Sequence, residues 1–480
     1  MIPDRPIGLR IRWWWWLIAI VLLVATALIA VRIGGQRRLE ATQAELRAAG
    51  FAVTPVELVA QAPPVDVDRQ NRLWRLVGWP APGWMDEHQR VPISRTLAEP
   101  PPMAPADVDR LDRVLAAAAP DLDELDRIFA EGPVLLSGLG WVERDPTRLA
   151  SVDIATIAAT RIPNLLAVRA LCQVSAHRAV AAADPEADLR RLDAILDAQR
   201  HPAVLIDGFI AIAASAIRDQ AHAWLALRGR LPAERLAAWA AETPPQRQFA
   251  AAGMAGERCL FQEPLGRLHW GFGGLSGSTR LFSECVWFVR VWPTQGYEIA
   301  CMQAAAARAQ ATLTDQPQPS EQHMPFAAMG PLMELGMMNT TESMVTACEA
   351  ANRHRLVRAI ALIAQAYRRT GRLPAELPPG MDAGTLAPDL PALRYEIFPP
   401  ARVRVGIDPA GPLPPSVPAD RWKPGYGSSI GGPPRNLPVS PDSERWSLEI
   451  DLDAILVPPP APAPRKPKPP ASSPQPPASP

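Results

Sequence analysis

The sequence predicts a mainly α-helical chain with an N-terminal transmembrane helix, a body of antiparallel helical hairpins, a small C-terminal β-containing appendage and a disordered proline-rich tail. Three observations carry that prediction. Residues 13–31 read WWWWLIAIVLLVATALIAV, nineteen residues without a charge, and at about 1.5 Å per residue they extend roughly 28 Å, the depth of a bilayer's hydrocarbon core. Apolar residues then recur at helical spacing through residues 107–375. Beyond Pro374 short β-prone runs replace them.

Residues 1–12 read as a basic tail carrying Arg5, Arg10 and Arg12, and residues 13–31 as an anchor whose edge is marked by Trp13, Trp14, Trp15 and Trp16, since amphipathic indoles favour the interface. Ala25-Thr26-Ala27 has the small-x-small pattern of a signal-peptidase site. However, Leu28, Ile29 and Val31 continue the apolar run past it, so the segment reads as uncleaved. Arg32, Arg37 and Arg38 follow the span, and the amino group tips an otherwise even charge balance towards a cytoplasmic N-terminus and a periplasmic body.

Residues 32–60 read as a juxtamembrane helical stalk. Gly50 is placed to end its first helix in the left-handed C′ position, and Thr54-Pro55-Val56-Glu57 forms a capping-box start for a second. Residues 61–106, rich in proline and holding Trp74, Trp79 and Trp84, read as irregular connection. The helical domain spans 107–375. Within it Val108, Leu111, Val114 and Leu115 share one face, Pro120 opens a new segment, and Asp184-Pro185 caps a helix whose stripe is Leu189, Leu192, Ile195 and Leu196. Helices are expected at 164–182, 186–200, 203–228 and 232–242, then from 297 to 313, and, after a proline-rich hinge at 315–325, from 341 to 370 with Leu356, Ile360, Ile363 and Tyr367 on one side. The segment 203–228 is apolar but interrupted by Asp207 and Gly208, which favours a helix buried in a bundle over a second span.

Residues 376–456 read as a small β/loop appendage with strands at 393–398, 402–407 and 446–450. The alternation Arg402-Val403-Arg404-Val405 points valines to one face. A stretch with ten prolines, residues 408–441, reads as a mobile loop, and residues 457–480 as a disordered Pro-Ala-Ser tail.

Lys+Arg and Asp+Glu are both 49, so no net field draws polyanions, and no basic stripe interleaved with aromatics appears; a nucleic-acid partner is not expected. The only lysines are Lys423, Lys466 and Lys468. A Schiff base or P-loop needs a lysine on an ordered element, and the helical body has none. Cys172, Cys259, Cys285, Cys301 and Cys348 are too sparse for a disulfide scaffold and too far apart for a metal knuckle; they read as small buried hydrophobes, any pairing left open.

Leu46-Arg47-Ala48-Ala49-Gly50 with Thr54 and Glu57, the alanine-rich helices from Ile162 to Ala241, and the segment from Ala366 to Leu377 together resemble an uncharacterised family of single-span bacterial envelope proteins. That last segment, Tyr367, Gly371, Pro374 and Leu377 spaced Y-x-x-x-G-x-x-P-x-x-L, is also similar to the helix exit of type II secretion pseudopilins. In pseudopilins the long helix continues from the membrane segment, whereas here more than three hundred residues intervene, and Ala387-Pro388-Asp389-Leu390-Pro391 replaces the aspartate-rich turn. The resemblance therefore implies neither a calcium ligand nor a fibre-forming role.

Candidate chemistry is sparse. Gly427-Ser428-Ser429-Ile430-Gly431 matches G-x-S-x-G, but prolines flank it and no histidine follows His354, so it reads as a loop. Gly271 to Gly277 is glycine-rich without fitting a phosphate-binding pattern. Asp86-Glu87-His88 reads as solvated loop, since consecutive extended residues diverge. His177 and His222 fall on helices, the latter one turn after Asp219, without an H-x-x-x-H or E-x-x-H pair, and each is expected to cap or pack. Glu349 and Arg353 read as a surface ion pair. No catalytic residue, cofactor ligand or metal ligand is assigned. The expected function is a non-enzymatic, membrane-tethered helical scaffold of the bacterial envelope, with the lipid bilayer and an envelope protein as partners. The alternative is an envelope hydrolase or carbohydrate-active enzyme with an unrecognised carboxylate pair roughly 5 to 10 Å apart.

Overall fold

The computed structural model describes residues 7–89, 105–141, 147, 163–265, 284–314, 316–320, 340–377, 393–398, 400–407 and 447–452. The glycine-rich break at 271–277, the G-x-S-x-G motif, the proline-rich loop at 408–441 and the tail at 457–480 lie outside these residues, as does the hinge apart from 316–320.

The first helix, α1 (Ile7–Ala48), is unbroken. It begins inside the stretch assigned to the basic tail and carries the apolar span straight into the stalk. It is the one helix among the described residues long and apolar enough to cross a membrane, and none of its apolar window is buried in the fold. Past Arg32 its character changes: Gly35, Leu39, Thr42 and Leu46 are buried at spacings of a single helical stripe. The helix ends as its sequence directs. Gly50 has φ +85°, and the Phe51 amide reaches the Leu46 carbonyl at 3.0 Å, closing a Schellman-type turn. In α2 (Pro55–Gln61) the Thr54 side chain accepts from the Glu57 amide, while the Glu57 carboxylate accepts from the Val53 amide at 2.7 Å.

The region expected to be irregular, 61–106, contains two helices, α3 (Val67–Val77) and α4 (Trp84–Gln89). Prolines 63, 64, 80 and 82 bracket α3 rather than interrupt it. Asp66 caps its start, accepting from the Arg69 amide at 2.8 Å, and Leu73, Leu76 and Val77 enter the core. A second correction is Pro120, which does not open a new helix but sits inside α5 (Pro105–Glu131). Val114, Ala118, Leu122, Leu125 and Ile128 are fully buried and form one stripe across the proline, and this burial outweighs the backbone hydrogen bond the proline removes.

The body follows as α6 (Leu165–Ala181), α7 (Glu186–Ala198), α8 (Leu205–Leu227), α9 (Ala233–Ala241), α10 (Gln246–Gly256), α11 (Gln295–Thr314) and α12 (Thr340–Thr370). A π-helical turn (Glu257–Gln262) extends α10, and another (Trp287–Val291) precedes α11. The apolar segment with Asp207 and Gly208 is α8, which packs against α6, α7, α10 and α12 and so occupies the middle of the bundle. Gly208 and Gly253 make its crossing with α10 close: a Cβ at Gly208 would lie 2.6 Å from the Phe249 carbonyl oxygen. Alanine-rich α11 packs against both α10 and α1. The stalk is therefore part of the body's packing, with Leu39 against Ile299 and Met302, and Leu46 against Ala307 and Ala311. Fully buried Arg258 fastens the turn after α1, donating to the Ala52 carbonyl at 2.9 Å and to Gln310 Oε1 at 2.8 Å.

Helix α12 stops at Gly371, φ +65°, whose amide reaches the Tyr367 carbonyl at 2.7 Å. Strands β1 (Leu393–Phe398), β2 (Arg402–Ile407) and β3 (Ser447–Asp451) form one antiparallel sheet in the order β1-β2-β3. As the alternation predicts, Val403 and Val405 are fully buried in the main core while Arg402 is exposed. The Tyr395 hydroxyl donates to the Pro374 carbonyl at 2.9 Å, tying the sheet to the exit of α12.

Candidate functional site

The densest chemistry lies between α8 and α12. On α8, Ser215, Arg218, Asp219 and His222 are spaced to share a face, and all are buried. Helix α12 supplies His354 and, one turn on, Arg358, both essentially without solvent contact. Trp239 from α9 and Gln246 from the first turn of α10 complete the enclosure.

Asp219 is the hub. Its Oδ2 accepts from His354 Nδ1 at 2.5 Å, and its Oδ1 accepts from Trp239 Nε1 at 3.0 Å and Arg218 Nη2 at 3.3 Å. Arg358 Nη1, which can only donate, lies 2.8 Å from His354 Nε2, so that nitrogen accepts and the ring proton is on Nδ1, facing Asp219. Burial pushes His354 below the usual imidazole value, with the Arg358 and Arg218 charges acting in the same direction against the pull of Asp219. Burial works against ionisation of Asp219 too. His354, Arg218 and Trp239 outweigh it and hold the carboxyl well below the usual range. His222 is also neutral. Burial and then the Arg218 charge bring it down to about 4, and its Nδ1 bonds to the Arg218 carbonyl at 2.9 Å.

The network reaches outward through arginines. Arg218 pairs with Glu242 at 2.8 Å and Asp193 at 3.5 Å, Arg235 pairs with Asp193 at 2.5 Å and Glu186 at 2.8 Å, and Arg358 donates to the Glu242 carbonyl at 2.5 Å. Helices α7, α8, α9 and α12 are thus joined by charge-assisted hydrogen bonds. Chemically, an Asp-oriented imidazole is half of an acid–base relay. Here the other ring nitrogen is occupied by Arg358 and the group is enclosed, so the arrangement fixes helices rather than presenting a base to a solute.

A second feature lies where α8 and α10 approach. Asp207 Oδ2 accepts from the Ala203 and Gly138 amides at 3.0 and 3.2 Å, while its buried Oδ1 has no hydrogen-bond partner among the described residues. Burial pushes the Asp207 carboxyl up. It does the same to Glu257, where the Asp207 charge adds to the effect. The interruption that Asp207 and Gly208 make in the sequence has a physical cause: the carboxylate holds the backbone entering α8, and the glycine admits α10.

A third cluster sits at the exit of the apolar span. Arg32 Nη1 donates to Gln295 Oε1 at 3.0 Å and to the Trp292 carbonyl at 3.2 Å, with its guanidinium 5.6 Å from the Trp292 ring centroid. Just below, Gly34 and Gly35 meet Gly296 and Tyr297 of α11 so closely that a Cβ at Gly296 would lie 2.5 Å from the Gly35 carbonyl carbon.

The residues singled out from sequence are mostly not brought together. Asp86, Glu87 and His88 are helical rather than in a solvated loop. Glu87 pairs with Arg113 at 3.4 Å, whereas His88 is buried beside Trp84 and brought down to about 4 by burial, then by the Arg169 charge. His177 and His222 are buried on their helices. Glu349 and Arg353 are half-buried, not surface, and burial lowers Arg353 to about 10. None of the five cysteines is joined in a disulfide among the described residues. Cys172, Cys259 and Cys348 are buried as expected, but Cys285 is exposed and Cys301 partly so; around Cys285, residues 284–286 and 288–290 are all exposed and Trp287 alone is buried. The pair missed from sequence is Asp219 with His354, separated by 135 positions. The available signal was an excess of polar residues, His354, Arg355 and Arg358, on a helix too apolar around them to leave its polar face in water.

Comparison of the chain with protein-family models, with curated proteins and with solved structures finds no match.

Proposed function

We propose that this chain is a non-enzymatic, membrane-tethered helical scaffold of the bacterial envelope, fixed in the inner membrane by α1 with its N-terminus cytoplasmic and its body periplasmic, and offering a helical surface to an envelope protein partner. The observation that carries the reading is the continuity of α1. One helix includes the apolar span and, immediately below Arg32, packs through Gly34 and Gly35 onto α11. An anchor docked in this way holds the body at a set height and orientation, which suits a docking platform better than a free linker does. Arg5, Arg10 and Arg12 ahead of the span support the assigned orientation. The ionic ties among α7, α8, α9 and α12 favour a rigid surface.

Cross-linking in intact membranes, followed by detergent extraction and affinity recovery of the full chain, is expected to yield a discrete envelope protein. Recovery of this chain alone sinks the scaffold reading. A reporter that works only in the periplasm, fused after residue 456, should be active; activity only of a cytoplasmic reporter overturns the orientation.

A second reading, an envelope hydrolase, is favoured by one observation: Asp207 and Glu257 are carboxyls whose proton affinity burial raises, and the Asp207 charge raises that of Glu257 further, as the partner of a general acid does. Hydrolysis of cell-wall glycan by the purified chain, abolished in a folded Glu257→Gln variant, would establish it. No hydrolysis by the wild-type chain dismisses it.

A further inference from the structure

Three large apolar side chains stand exposed within four positions at the exit of the span: Val286, Phe288 and Val289, the last with 59% of its surface open. Elsewhere in the described body such exposure falls on scattered positions, for example Val67, Trp79, Leu166 and Ile397, which is ordinary for a protein surface. A contiguous patch calls for a covering. Its location says which one. Arg32 directly follows the last residue of the uncharged run, which places its guanidinium at headgroup level, and that guanidinium donates to the Trp292 carbonyl at 3.2 Å. The Phe288 ring stacks on the Trp292 ring, centroids 4.8 Å apart. Phe288 therefore lies about one helical turn from the plane where α1 leaves the hydrocarbon. In the π-helical turn, closed by the Trp292 amide on the Trp287 carbonyl at 3.0 Å, Trp287 is buried while Phe288 and Val289, and Val286 just before the turn, are exposed. Exposed Arg290 beside them adds the basic residue that anionic headgroups attract.

We propose that residues 284–292 form a second membrane contact, with Val286, Phe288 and Val289 inserted in the lipid interface beside the exit of α1, so that the body is held to the bilayer at two points and cannot swivel about its anchor. The inference rests on the reading of α1 as a membrane span. The bilayer, not a protein, is assigned as occupant because the patch is continuous with the lipid-facing surface of that helix through Arg32 and Trp292.

The test uses the full chain in phosphatidylethanolamine–phosphatidylglycerol vesicles, in a background with Cys285→Ser and Cys301→Ser. Val289→Cys carries an environment-sensitive fluorophore, and nitroxide lipids labelled at a shallow depth serve as quencher. Ile29→Cys in the span is the positive control. Arg190→Cys on α7, whose side chain is 70% exposed, is the negative one. The expected result is loss of most emission from positions 29 and 289 with none from 190. Quenching at 29 but not at 289 overturns the second contact and leaves the anchor standing. Absence of quenching at 29 overturns the anchor and the inference with it. Because position 289 is exposed, labelling there leaves the packed core intact. Phe288→Asp combined with the same probe should restore emission at 289 without changing that at 29, and failure to restore it also counts against insertion.

Discussion

Asp219 on α8 and His354 on α12 approach to 2.5 Å across 135 positions of sequence, in surroundings that exclude water from both. The carboxylate also receives Arg218 and Trp239, so a single side chain organises donors from three helices. Removing it leaves the His354 Nδ1 and Trp239 Nε1 donors buried without their acceptor, and Arg218 with only Glu242 and Asp193. Asp219→Ala is therefore expected to destabilise the body by about 3 to 5 kcal/mol, the cost of breaking a buried pair by deleting one partner. The joint variant Asp219→Leu with His354→Leu should cost less than the sum of the two single changes. Denaturant titration of the detergent-solubilised chain measures both. An Asp219→Ala effect below about 1 kcal/mol would show that the network does not hold the helices.

The buried histidines set the acid limb of the stability profile. His222 and His88 both titrate in the fold near 4, against an unperturbed value near 6.5, and His354 is shifted in the same direction. Below the unfolded value the unfolded chain binds more protons than the folded one, so stability rises with pH in this window. The contribution is complete above about pH 6.5 and is lost as pH falls towards 4. Its size for His222 alone is about 3 kcal/mol. Unfolding free energies measured from pH 7 to pH 4 should fall steeply in wild type and less steeply in His222→Leu. Parallel curves for the two proteins would refute the assignment.

Pro120 occupies the middle of α5 with its side chain exposed, so it contributes backbone cost without core packing. Pro120→Ala restores a hydrogen-bond donor and is expected to stabilise the chain by up to about 3 kcal/mol. A raised denaturation midpoint with an unchanged far-ultraviolet spectrum is the expected outcome. A lowered midpoint would mean that the proline fixes a bend the neighbours require.

Local signals in the sequence predicted local structure well. The glycine stops at Gly50 and Gly371, the Thr54 capping box, and the Val403 and Val405 face each depend on a few adjacent residues, and each has the predicted geometry. The apolar span is similarly legible from composition. Features that depend on distant partners were not. Prolines and tryptophans in 61–106 suggested irregularity because they are dense, although the prolines fall outside α3, whose burial comes from contacts with α5 and α6. Pro120 suggested a break because the continuous stripe holding the helix together is worth more than the bond it removes. Asp219 was read only beside His222, one turn away, because the histidine it pairs with, His354, is on another helix. Gly34, Gly35 and Gly296 each resemble a weak spot in a helix when seen alone, and only their juxtaposition shows a docking surface.

That juxtaposition gives the last prediction. A Cβ on Gly296 would fall 2.5 Å from the carbonyl carbon of Gly35, and one on Gly34 would fall 2.6 Å from the Tyr297 hydroxyl. The first obstacle is backbone, which cannot yield, while the second is the tip of a side chain, which can. Gly296→Val should therefore separate α1 from α11 at the exit of the apolar span and cost about 1 to 3 kcal/mol of packing, whereas Gly34→Ala should be tolerated after a shift of Tyr297. In Gly296→Val the buried stripe of Leu39 and Leu46 loses its partner surface while the span itself is untouched. The variant is expected to remain membrane-bound yet become sensitive to limited proteolysis between residues 32 and 50, with faster amide exchange in that stretch. Equal protection in Gly296→Val and wild type would mean that the stalk is held from the Arg258 end alone and that the glycine contact is not what joins anchor to body.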